Sequence, residues 1–125
     1  WDLKQQQNKD SNMGRKTHQG AVGAGKVQKF PNVDATTSVA ADVNKTYWVD
    51  TSSGGLTLTL PSVPAKGDAV RIFDAGYTFD TNNLTVARNG QLVMGLDEDL
   101  TVNTQGAAFD LVYYNPSRGW RIYTT

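Results

Sequence analysis

The chain has no cysteine and a single histidine, His18. Disulfides and thiolate catalysis are therefore excluded, and a zinc site built from Cys and His ligands cannot be assembled within one copy. Proline is scarce, at 4 residues. No apolar run approaches the roughly 18 residues of a membrane-spanning helix. The polar N-terminus lacks the apolar stretch of a secretory signal. Trp1 stands where a Met would be expected, which fits a processed or trimmed N-terminus. Apolar residues make up 38% of the 125 positions, below the globular norm of about 45–50%. With 12 glycines in so short a chain, this composition argues against a compact helical enzyme and for one domain, or one domain plus an arm.

Net charge is zero, but it is unevenly spread. Residues 1–29 carry six basic groups against Asp2 and Asp10, a net of +4; residues 30–125 carry six basic groups against ten acidic ones, a net of −4. A basic tail on an acidic body implies two jobs. Residues 1–20 hold only Trp1, Leu3 and Met13 as large apolar groups. Such a stretch cannot bury enough surface to offset an ordering cost of about 1–2 kcal/mol per residue. Residues 1–35 therefore read as an extended arm that orders on a partner. Trp1, Leu3, Lys4, Lys9, Met13, Arg15 and Lys16 are its expected binding residues. The Gly20-x4-Gly25-Lys26 stretch imitates a phosphate-binding loop, but Val27 replaces the hydroxyl residue that would hold magnesium and no buried strand precedes it. It reads as a small-residue connector.

From residue 36 the pattern changes. Short runs of Thr, Val, Leu and aromatics alternate with turn signals, and no amphipathic helix is visible. Leu56, Leu58 and Leu60 alternate with Thr57 and Thr59, the period of a half-buried strand. Further strands are predicted at 46–50, 68–73, 84–88, 91–94, 100–103, 108–114 and 119–123. Asn89-Gly90 is the strongest hairpin signal and is expected to join 84–88 to 91–94. The expected fold is all-β: an antiparallel sandwich or barrel of about eight short strands over residues 36–125, preceded by the arm. Leu58, Leu60, Val70, Ile72, Leu84, Val86, Leu111, Tyr113, Trp120 and Ile122 are among the predicted inward residues. Tyr47, Trp48, Phe73, Tyr77, Phe79, Tyr114 and Tyr123 are left over for an oligomer interface, with Tyr47 and Trp48 the first candidates.

From Tyr47 onward the chain resembles a β-rich domain that recurs in bacteriophage virion proteins of the tail-fibre, baseplate, neck and head-fibre type. The stretches that carry the resemblance are Tyr47–Pro61 (YWVDTSSGGLTLTLP), Lys66–Asp74 (KGDAVRIFD), Phe79–Gly90 (FDTNNLTVARNG), Met94–Val102 (MGLDEDLTV), Leu111–Tyr114 (LVYY) and Gly119–Ile122 (GWRI). It covers about residues 45–125 and implies a trimeric structural module on the virion surface, at head, neck or tail. The arm matches no such pattern.

The chemistry points the same way. A nucleophile–His–acid triad needs a histidine in the folded body, and His18 lies in the arm. Asp97, Glu98 and Asp99 are consecutive, so in a strand or turn they point apart rather than at one sugar, and a solvated turn is expected. No catalytic residue, metal or cofactor is assigned. The aromatics lie in the acidic half, against nucleic-acid binding. The sequence thus reads as a non-enzymatic structural component of a phage particle (decoration, fibre or adaptor), trimeric and joined to other virion proteins through its arm. An alternative is a module binding host surface glycan through the loops 74–82 and 115–119.

Overall fold

The computed structural model describes residues 29–124. All regular structure in it is β: β1 (Asn32–Ala35), β2 (Val39–Ala40), β3 (Lys45–Val49), β4 (Leu56–Thr59), β5 (Ala69–Asp74), β6 (Leu84–Ala87), β7 (Leu100–Val102), β8 (Ala108–Asn115) and β9 (Gly119–Tyr123). They form a five-stranded sheet in the order β1-β3-β5-β8-β9 and a four-stranded sheet in the order β2-β4-β6-β7. Up to β6, successive strands alternate between the sheets, so the chain winds in coils, each giving one strand to either layer. No described helix is long and apolar enough to cross a membrane.

This winding sets strand direction. β1, β3 and β5 run parallel, as do β2, β4 and β6; antiparallel pairing is confined to β5–β8, β6–β7 and β8–β9. The sandwich is therefore mixed, where alternation alone had led to an antiparallel one. β1 falls within the 1–35 stretch read as arm, yet it is the edge strand of the larger sheet, so the β-domain starts by Asn32. Residues 1–28 of the stretch read as arm lie outside the described residues.

The layers are held by the alternation read from sequence. Leu58, Leu84, Val86 and Val102 from the smaller sheet meet Tyr47, Val49, Val70, Ile72, Leu111, Tyr113 and Trp120 from the larger. Full burial of one such side chain contributes about 1.5–3 kcal/mol. The Trp120 ring packs edge-on to Tyr113 at 5.3 Å. Its Nε1–H has no acceptor among the described residues, a cost of about 1–3 kcal/mol that the buried ring area offsets.

The Asn89-Gly90 turn is present, with φ of 52° and 92° at its two central residues, and Gln91 N donates to Arg88 O. The strand it returns is not the one expected. β6 pairs with β7, while Val93 bridges Leu96 and Trp120. A tight turn fixes local chain reversal; here the hydrogen bonds of residues 92–95 go to the start of β9 instead, with Trp120 N donating to Leu92 O and Met94 N to Trp120 O. Gly119 makes that approach possible: a Cβ there would sit 1.9 Å from Leu92 O.

Candidate functional site on the outer face of the larger sheet

The register of the larger sheet lines up its outward side chains in rows. One row runs Asn32, Thr46, Arg71, Asp110, Tyr123, and the next Asp34, Trp48, Phe73, Ala108. In the second row Trp48 and Phe73 stack with ring centroids 4.3 Å apart and planes 12° from parallel. Trp48 Nε1 donates to Asn32 Oδ1 at 3.0 Å, fixing the indole across the edge of the sheet. In the first row Arg71 makes a two-pronged contact with Asp110, Nε to Oδ1 at 2.9 Å and a terminal nitrogen to Oδ2 at 3.3 Å. This hydrogen bond raises the Arg71 pKa further, against the opposing effect of partial burial. The guanidinium also lies 4.7 Å from the centre of the Phe30 ring, a cation–π contact. Lys66 sits 5.0 Å from the Tyr114 ring on the same sheet.

Ala108 follows Trp48 and Phe73 in the row and has almost no side chain. The result is a slot of about 270 Å³ lined by Arg71, Phe73, Ala108, Phe109, Asp110, Tyr123 and Thr124. Trp48 does not line it, so Phe73 separates the indole from the slot. The slot suits a planar or aromatic group, flanked by a charge pair that keeps some hydrogen-bonding capacity. Nothing in the arrangement provides a nucleophile, base and acid together, and among the described residues no three His, Cys, Asp or Glu side chains converge as a metal cage.

Of the two expected interface residues, Trp48 is on this face and 37% exposed. Tyr47 is not: it is 2% exposed, turned into the core, and its hydroxyl accepts a hydrogen bond from Asp42 N. Neighbours on a strand point to opposite sides, so the pair could not share one surface. Phe79, also counted among the spare aromatics, is fully buried. The arm residues Trp1, Leu3, Lys4, Lys9, Met13, Arg15 and Lys16 lie outside the described residues. Asp97 and Asp99 are both tied to Arg88, the first by an ion pair and the second by accepting Arg88 N, as expected of a turn. The two loops considered for glycan lie at opposite ends of β8, because Phe73 pairs with Ala108 while Gly67 N donates to Tyr113 O. A strand of eight residues separates them, about 25 Å, and one sugar cannot span both.

Sequence reading missed the buried carboxylate that organises one of those ends. Asp74 is 5% exposed and accepts from Thr78 N, Phe79 N and Gly106 N at 2.9–3.1 Å. It joins the loop after β5 to the turn before β8. The signal available was the Asp-Ala-Gly-Tyr-Thr run, an Asx-type turn opener. In the same loop Tyr77 is 65% exposed with φ 56°.

No protein-family profile matches the chain. One curated relative does: over 93 residues the chain is 30% identical to baseplate wedge protein gp10 of Enterobacteria phage T4. The match takes in 72% of this chain but only 15% of that protein. The chain thus resembles a small part of a baseplate protein.

Proposed function

We propose that the chain is a structural subunit of a bacteriophage particle. The observation that carries this reading is the similarity to part of a baseplate wedge protein; a β-only body and an outer face equipped for contact rather than catalysis support it. In this reading the body associates as a trimer through the outer face of the larger sheet, with Trp48 and Phe73 at its centre and Tyr47 beneath them as core. The basic arm attaches the subunit to other virion structural proteins. Decoration, fibre and adaptor roles all fit.

The test is quantitative mass spectrometry of purified particles, together with light scattering of the isolated full chain. Presence at a fixed copy number per particle, in multiples of three, is the expected result. Absence from particles overturns the reading, and a monodisperse monomer at micromolar concentration overturns the trimer. Removing residues 1–28 is expected to detach the subunit from particles; full occupancy without them would transfer the attachment to the body.

A further inference from the structure

Among the described residues the two sheets differ by one strand, so β9 has no strand facing it from the smaller sheet. β7 is the last strand of the smaller sheet, while β9 extends the larger one beyond it. Residues 92–95 cover the start of β9 at Trp120 and reach the Ile122 backbone, whose N donates to Met94 Sδ, but they leave the Ile122 side chain uncovered. Although it belongs to the inward row of β9, Ile122 is 38% exposed. A cleft of about 290 Å³ runs along this seam, with Leu100, Val102, Phe109 and Ile122 as its apolar lining. On one side it is bounded by the edge of β7 that no described strand pairs, its other edge pairing with β6. An open edge beside an uncovered apolar groove is the geometry that accepts an added strand: the backbone supplies hydrogen bonds and alternate side chains fill the groove.

We propose that the seam receives the N-terminal residues of a neighbouring copy, with Trp1 and Leu3 seated over Ile122 and Phe109. This rests on the reading of the arm as the attachment device and adds a receiver to it: beside other virion proteins, a second copy of this chain. Three features select this occupant. Trp1, Asp2, Leu3 and Lys4 alternate apolar and polar, so as a strand they present both large apolar groups to one side. The residues just before β7 are Asp97, Glu98 and Asp99, of which only Asp97 pairs with a base among the described residues, Arg88, which leaves an acidic end to the groove; residues 1–29 carry a net +4. Finally, 28 residues precede Lys29, enough to reach about 90–100 Å when extended, so a neighbouring seam is within range. A second copy meeting the seam edge to edge would instead oppose two acidic clusters.

The sequence supplies its own probe. The only isoleucines are Ile72, buried in the core, and Ile122, in the seam, and the chain has no native cysteine. Full-length chains methyl-labelled at isoleucine are mixed with unlabelled chains carrying a nitroxide at Gln6→Cys. Selective loss of the Ile122 signal, with Ile72 largely retained, is expected. Adding Trp1→Ser and Leu3→Ser to the nitroxide-bearing copies should restore the signal. Glu98→Lys in the methyl-labelled copies should restore part of it at low salt. No loss in the mixture overturns the proposal, and so does loss seen only when both labels are on one chain, which would place the arm in its own seam. A seam that binds in this assay while the chain is missing from particles would overturn the structural-subunit reading and leave this one standing.

Discussion

The outer faces of the two sheets are built on one shared core and look nothing alike. The larger sheet presents Trp48, Phe73, Arg71, Asp110, Arg121 and Tyr123. The smaller presents Thr57, Thr85 and Thr101 in register across β4, β6 and β7, with Thr59 beside Ala87 and Ala40. Threonine satisfies a strand's preference for β-branched side chains and bonds to water as readily as to protein. Aromatic and guanidinium groups are the residues that carry interface energy. The inward pattern, common to both sheets, makes the fold; the outward pattern, different in each, gives the two faces different chemistry.

The sharpest way to break this contrast is to remove what the faces share. Trp120→Ala is expected to cost about 3–5 kcal/mol, so that thermal denaturation shows both sheets lost in one transition at a much lower midpoint. Next in size is Asp74→Ala. It strands three backbone N–H groups and should cost about 2–3 kcal/mol; Asp74→Asn should recover part of this in chemical denaturation. Gly90→Val places a β-branched residue at φ 92° and should cost about 1–2 kcal/mol, leaving association untouched. The smallest effect on the fold tests the contrast itself. Trp48→Ala loses a stacked pair, about 0.5–1.5 kcal/mol, but should abolish self-association in sedimentation. Thr57→Ala should change stability by no more than about 0.5 kcal/mol and leave association intact. Equal effects of the two on association would erase the distinction between faces.

Much of the fold was legible in the sequence because burial follows period two. Leu58, Leu60, Val70, Ile72, Leu84, Val86, Leu111, Tyr113 and Trp120 are inward as read. What escaped has physical reasons. Parallel and antiparallel strands share the same alternation, so the coiling of β1 to β6 left no mark on the pattern. β2 has two residues and β1 sits directly after Pro31, too short or too close to a break to register. Phe79 is buried from a turn, where no period applies, and Ile122 is exposed because no described strand of the opposite sheet covers it. Of the candidate site, Trp48, Phe73 and Tyr123 were legible as spare aromatics. The stacking of Trp48 on Phe73, the Arg71–Asp110 pair and the slot over Ala108 depend on register between distant strands, which no local pattern encodes.

The coiled topology also bears on how the molecule acquires its structure in time. Every parallel pairing joins residues far apart in the chain: Asn32 meets Thr46, Lys45 meets Val70, Leu56 meets Leu84. Only β8 and β9 are joined by a tight turn, where Arg118 N donates to the Asn115 side chain. Loop closure is costly until such contacts form, so the C-terminal hairpin is the natural nucleus and the coils assemble onto it backwards, toward β1. Pulse-labelled hydrogen exchange should find Leu111–Tyr113 and Trp120 protected before β1 and β3; simultaneous protection would argue against this order. In that order β1 docks last, and with it the Asn32 side chain that accepts from Trp48 Nε1, so the outward aromatic pair takes its final setting only after the core has closed.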